Sequence, residues 1–135
     1  MSEIFEYAVL QVLKREGGFV DDKNDPGGAT NFGVSQRAYP DEDIQGMTED
    51  RAKEIYRRDY WEPLRLSELE NDYVTGEIFD TAVNMGLNRA TKIAQESLNY
   101  LGSKVAVDGI MGPETIGELN GWSKKDLVAL LKEGR

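Results

Sequence analysis

The chain contains no cysteine and no histidine. The first absence rules out disulfides and thiolate metal sites, and leaves the redox compartment open. The second removes Ser-His triads, the usual zinc centres and any histidine general base. Chemistry here must run on carboxylates, hydroxyls, amides or lysine. Concentrated positive charge is also missing, since the basic runs are pairs such as Arg57-Arg58 and Lys124-Lys125. The net charge of −9 is evenly spread, with 13 acidic against 8 basic residues in 1–60 and 12 against 8 in 61–135. Nucleic acid is therefore not an expected partner, because phosphate binding needs clustered Lys or Arg. Long apolar runs are absent too. The opening MSEIFEYAVLQVL carries two glutamates and no basic residue, which fits neither a secretory signal nor an integral membrane segment.

What is present fits one mainly α domain over residues 1–135, 39% apolar and 30% charged. Ile4, Tyr7, Ala8, Leu10 and Val12 or Leu13, widened by Phe5 and Val9, predict a first helix capped by Ser2 and closed at Gly17-Gly18. Residues 17–47 read as a loop or short-strand lobe. Thr48 caps a second helix, buried on Ala52, Ile55, Tyr56 and Tyr60. A third helix carries Val74, Ile78, Ala82 and Met85 and ends at Gly86; Asn88 caps a fourth, buried on Ala90, Ile93, Ala94, Ser97, Leu98 and Leu101. Pro113 opens a fifth. Ser123, with Asp126 at the capping-box position, opens a sixth whose face is Leu127, Leu130 and Leu131. That face lies close to the end of the sequence and is expected to need a further partner surface, as if the chain were truncated there.

One stretch resists an ordinary reading: EGGFVDDKNDPGGATNFG, Glu16 to Gly33. Glu16 stands at a helix edge before glycines that turn the chain away, so its carboxylate is held on rigid backbone. Partial burial in such a place, and the negative end of a helix, both favour the protonated form that a general acid needs. Asp25, nine residues on, sits in a polar turn where a carboxylate stays ionised. Two carboxylates in contrasting surroundings suit hydrolysis of a glycosidic bond, and Thr30 or Asn31 would position a water. The plainer alternative is a solvated helix end followed by an exposed acidic turn. That turn lacks EF-hand spacing, since counting from Asp21 puts Lys23 at the third position and Pro26 where the glycine belongs. No metal and no cofactor are expected.

Further along, Tyr56 and Tyr60 lie four apart with Trp61 next, which suits either an aromatic platform for a sugar ring or core tyrosines with hydroxyls reaching water. Asp80 and Asn84, with Glu77, form a polar stripe on the third helix that either faces solvent or contacts substrate.

EGGF and DPGGATNFGVS (Asp25 to Ser35) resemble the signature of glycoside hydrolase family 108, the N-acetylmuramidases of phages and bacteria. The likeness continues through IYRRDYW, FDTAVNMG, AQESLNYLG and VDGIMGPET, in the family's order. The resemblance implies a lysozyme-like α+β fold, with a catalytic part in 1–86 and a helical, peptidoglycan-binding-like segment in 87–135. It implies cleavage of the β-1,4 bond between N-acetylmuramic acid and N-acetylglucosamine, with Glu16 as catalytic acid. Contacts from Asp80 and Asn84 to the N-acetyl groups follow from it as well. Phage-type lysozymes separate Glu, Asp and Thr by eight and five residues. This chain, with Glu16, Asp25 and Thr30, has eight and four, so Asn31 competes with Thr30. The implied partner is the peptidoglycan glycan strand, acted on by a monomer of phage or prophage type. It would be made in the cytoplasm without a signal peptide and reach the wall or periplasm through a holin or another route. The competing reading is a non-catalytic cell-wall-binding or secretion-associated module.

Overall fold

A computed structural model describes residues 3–21 and 28–134. Ser2, the expected cap of the first helix, and Asp25 lie outside the described residues. The observed order is α1 (Glu3–Glu16), β1 (Val20–Asp21), β2 (Ala29–Asn31), β3 (Val34–Ser35), α2 (Glu49–Tyr56), α3 (Asp72–Met85), α4 (Leu87–Leu101), α5 (Pro113–Gly121) and α6 (Lys124–Glu133). A π-helical turn, Arg57–Trp61, and a 3₁₀ turn, Leu66–Glu68, lie between α2 and α3. This is the expected mainly α, lysozyme-like α+β class, with a three-stranded antiparallel sheet after the first helix. The backbone divides into two compact units, Glu3–Arg57 and 58–134. Residue 86, where the motifs divided catalytic from wall-binding parts, lies inside the second unit.

In the first unit, α1 buries Phe5, Ala8, Val9, Val12 and Leu13. That stripe, spaced three and four apart, lies to one side of the predicted one. Tyr7 stays 66% exposed, because its hydroxyl keeps it at water while Phe5 takes the core position. Helix α1 packs on α2, and the Arg57 guanidinium stands 5.4 Å from the Phe5 ring centroid. Lys53 ties the two helices, its ammonium 3.1 Å from Glu6 and 3.4 Å from Glu49. Thr48 caps α2 as expected, its hydroxyl oxygen accepting the Arg51 N–H at 3.1 Å.

The second unit is helical. Asn71 caps α3 by accepting from the Tyr73 and Val74 amides at 2.9 and 3.1 Å. Three expectations are corrected here. Met85 is 42% exposed rather than part of the buried stripe of α3. Gly86 both closes α3 and precedes α4, so Asn88 sits inside α4 instead of capping it, with its amide against Gly109. Ser123 occupies the cap position of α6 without a side-chain capping bond. On α6, Leu127 and Leu131 are buried, Leu130 is half-buried, and the helix packs on α3 and α4.

Between α4 and α5 the chain has neither helix nor strand, and Gln95 holds it. This 1%-exposed side chain donates to Asp108 Oδ1 (2.9 Å), the Ile110 carbonyl (3.1 Å) and Thr115 Oγ1 (3.2 Å). Its own oxygen accepts the Gly109 N–H at 3.0 Å. Hydrogen bonds from the Ile110 amide, then from Gln95, hold the Asp108 carboxyl below its ordinary range. The contribution is present above the unfolded carboxylate value and lost as pH falls through the lowered one. Replacing Gln95 with Leu keeps the volume but removes four hydrogen bonds, one of them to the buried Thr115 hydroxyl and three to part-buried groups. Each stranded group costs roughly 1–3 kcal/mol. We expect Gln95→Leu to lose at least about 2 kcal/mol in urea unfolding, at pH 7, compared with the parent chain.

Candidate active site

Glu16 is the last residue of α1. Gly17 follows at φ 76°, the left-handed conformation that glycine accepts without cost, and its amide returns to the Leu13 carbonyl at 3.1 Å. The expected glycine closure is therefore met by Gly17. The Glu16 side chain is 32% exposed, with the Arg15 guanidinium 3.5 Å from its carboxylate. Its aliphatic stem is covered by the tip of the β2–β3 hairpin.

That tip is the central piece of local geometry. Strands β2 and β3 pair Asn31 with Val34, leaving a two-residue turn of Phe32 and Gly33. Both residues have positive φ, 52° and 80°. A right-handed strand twist favours this mirror-image turn, which usually has Asn-Gly at its centre. Phenylalanine in the left-handed region costs about 1–2 kcal/mol. Two hydrogen bonds offset that strain: the Phe32 N–H donates to the Gly17 carbonyl at 3.2 Å, and the Phe32 carbonyl accepts the Tyr56 hydroxyl at 2.8 Å. A Cβ at Gly33 would stand 2.5 Å from the Tyr56 hydroxyl oxygen and 2.9 Å from Glu16 Cγ. Glycine is thus required at 33 by conformation and by space, and Glu16, Gly33 and Tyr56 meet at one point. Sequence reasoning missed Phe32 and Gly33. The only signal was a glycine following N-F between two short strand-like runs.

Register separates the two candidates for holding water. Val20, Thr30 and Ser35 stand opposite one another across the three strands. Strand side chains alternate, so Asn31 points to the other face. There it is 6% exposed, and its amide donates to the Ile44 carbonyl at 3.0 Å. Asn31 is therefore a buried anchor, and the expectation that it contacts substrate is corrected by this geometry. Thr30 remains half-buried on the open row.

The aromatic platform is also revised. Tyr56 is 3% exposed, with its hydroxyl on the Phe32 carbonyl. Trp61 is 1% exposed, donates from its indole N–H to Ser67 Oγ at 2.9 Å, and meets Phe79 edge-to-face at 5.3 Å. Neither ring offers a face to a sugar. The four-residue register assumed for Tyr56 and Tyr60 holds only for α-winding, and residues 57–61 are π-wound. Tyr60 is half-buried; desolvation first, then the Asp59 charge, raise its hydroxyl above its ordinary range. On α3, Asp80 is half-buried and Asn84 exposed, while Glu77 lies 3.9 Å from the Lys132 ammonium. Among the described residues, no group of three or more Asp or Glu side chains is placed to hold a metal ion. No helix among them is long and apolar enough to cross a membrane.

The family model for glycosyl hydrolase 108 matches residues 9–86, more than half of the chain and inclusive of the α1 end and the hairpin. The chain belongs to glycosyl hydrolase family 108. This family 108 chain is also similar to a solved structure, that of Brucella abortus SagA, at 28% identity and a TM-score of 0.79. The match covers 96% of this chain and 76% of the other. No curated protein matches it.

The burial of Asn31 yields a test. Removing its amide strands the Ile44 carbonyl, at a cost of about 1–3 kcal/mol. Asn31→Ala should lower the urea midpoint accordingly, while hydrolytic turnover by the folded fraction stays near that of the parent. A dead but fully stable variant would return Asn31 to the chemistry.

Proposed function

We propose that this glycoside hydrolase cleaves the β-1,4 bond between N-acetylmuramic acid and N-acetylglucosamine in peptidoglycan. Glu16 is the general acid. The observation that carries the reading is its position: a glutamate at the end of α1, its stem against Gly33 and its side chain partly exposed, inside the segment that matches the family. A side chain so held can deliver a proton to a leaving oxygen without first losing rotamer freedom. Asp25 activates or orients the attacking water and Thr30 assists it, the open face of the sheet favouring Thr30 over Asn31. Tyr60, Asp80 and Asn84 are the remaining candidates for substrate contact. The enzyme works as a monomer at the cell wall or periplasm, released by a holin or another route.

Glu16→Gln keeps size and shape but cannot donate the proton, and general acid catalysis is worth ~10²- to 10⁴-fold. Clearing of a suspension of purified murein should fall at least about a hundredfold, with the melting curve unchanged. Retention of more than about a tenth of the parent rate would overturn the assignment. Sedimentation with murein separates this enzyme from a wall-binding module, because the variant should still bind while no longer cutting.

A water-activating Asp25 attacks from the face opposite the leaving group, so the product anomer is inverted. The polar Asp25-Pro26-Gly27-Gly28 sequence suits a water better than a nucleophile locked against the anomeric carbon. NMR of the new reducing end, read before mutarotation, should show the α-anomer. A β-anomer would refute inversion.

A further inference from the structure

We infer that Tyr56 is a positioning residue for Glu16, acting through the hairpin turn rather than on substrate. The inference rests on Glu16 being the general acid, as proposed above. Tyr56 leaves α2 buried, and its phenol reaches the backbone carbonyl of Phe32, a non-glycine residue held at positive φ. The same hydroxyl oxygen and Glu16 Cγ lie 2.5 and 2.9 Å from one point above Gly33. The phenol therefore does two things at once. It holds the left-handed turn closed, and it forms one wall of the slot in which the stem of Glu16 rests.

An exposed glutamate with a free stem samples several rotamers, whereas general acid catalysis requires one. The neighbouring Arg15 side chain is itself 43% exposed, so its pairing with Glu16 is too weak to select that rotamer. Packing against Gly33 and Tyr56 selects it instead. The slot explains the glycine at 33, where the turn must present a bare Cα to Glu16. The Tyr56 and Gly17 bonds offset the strain of the phenylalanine beside it.

The test is steady-state kinetics on soluble, uncross-linked glycan strands, alongside thermal melts. Tyr56→Phe removes only the hydroxyl. It should lower kcat about ten-fold and leave KM within about two-fold, since misplacing an acid costs rate rather than binding. A merely structural tyrosine would change the folded fraction and leave kcat per folded molecule unaltered. Phe32→Gly supplies the control: it relieves the left-handed strain and retains the carbonyl. In the Tyr56→Phe background it should restore the melting temperature without restoring kcat. If Tyr56→Phe alone does not fold, the double variant is the one read. A crystal structure of the folded variant should show Glu16 in more than one rotamer. The inference is overturned if Tyr56→Phe turns over within about two-fold of the parent, or if Phe32→Gly restores kcat together with stability. Glu16→Gln, run in parallel, keeps the two claims apart. An active Glu16→Gln refutes the acid assignment itself, while an inactive Glu16→Gln beside a fully active Tyr56→Phe refutes the positioning role alone.

Discussion

A single hydrogen bond, from the Tyr56 hydroxyl to the Phe32 carbonyl, stands behind the geometry of the first unit. Without it, a non-glycine residue at φ 52° is left with the Gly17 carbonyl and the β2–β3 ladder to keep the hairpin in its primed turn. The turn sets the register of β2 against β3, and the register decides which face Thr30 and Asn31 take. Asn31 then reaches the Ile44 carbonyl and anchors the loop that leads to α2, the helix that carries Tyr56. The interactions close a circuit: the helix holds the turn, the turn sets the strand, and the strand holds the approach to the helix. Glu16 sits where the circuit touches the end of α1.

Much of this was legible from local chemistry. Thr48, Gly17, Gly86 and Pro113 mark helix ends by mechanisms that act within a turn of backbone, so sequence suffices to place them. Glu16 was legible for the same reason, being defined by the helix end beneath it. The failures share another cause. Tyr7, Met85 and Leu130 fit apolar periodicity as well as the residues that were buried, and tertiary packing chose among them. Asn31 and Thr30 are adjacent in sequence, and only the strand pairing, which sets the face each takes, separates them. The π-helical turn at 57–61 has no signature in local propensity, yet it breaks the spacing on which an aromatic platform was built. Asn88 lost its capping role because Gly86 serves both helices it joins.

The two kinds of carboxylate in the chain show how context divides them. Glu6, Glu42 and Glu68 are paired with Lys53, Arg51 and Arg65 in ion pairs that fasten neighbouring segments. Such partly exposed pairs contribute little individually. Glu16 differs less in its charge partner than in the close approach of the hairpin tip at Gly33 to its Cβ and Cγ.

The stretch from Ser103 to Gly112 has no regular secondary structure, yet one buried glutamine grips it at Asp108, Gly109 and Ile110. A protease needs several consecutive residues in extended, unanchored form before it can cut, and surface loops usually supply them. Here the chain offers Val107 and Ile110 as exposed apolar side chains, attractive to a protease, on backbone that cannot lift away unless Gln95 lets go. Cleavage there requires release of the Gln95 hydrogen bonds, so the segment resists digestion better than its lack of regular structure suggests.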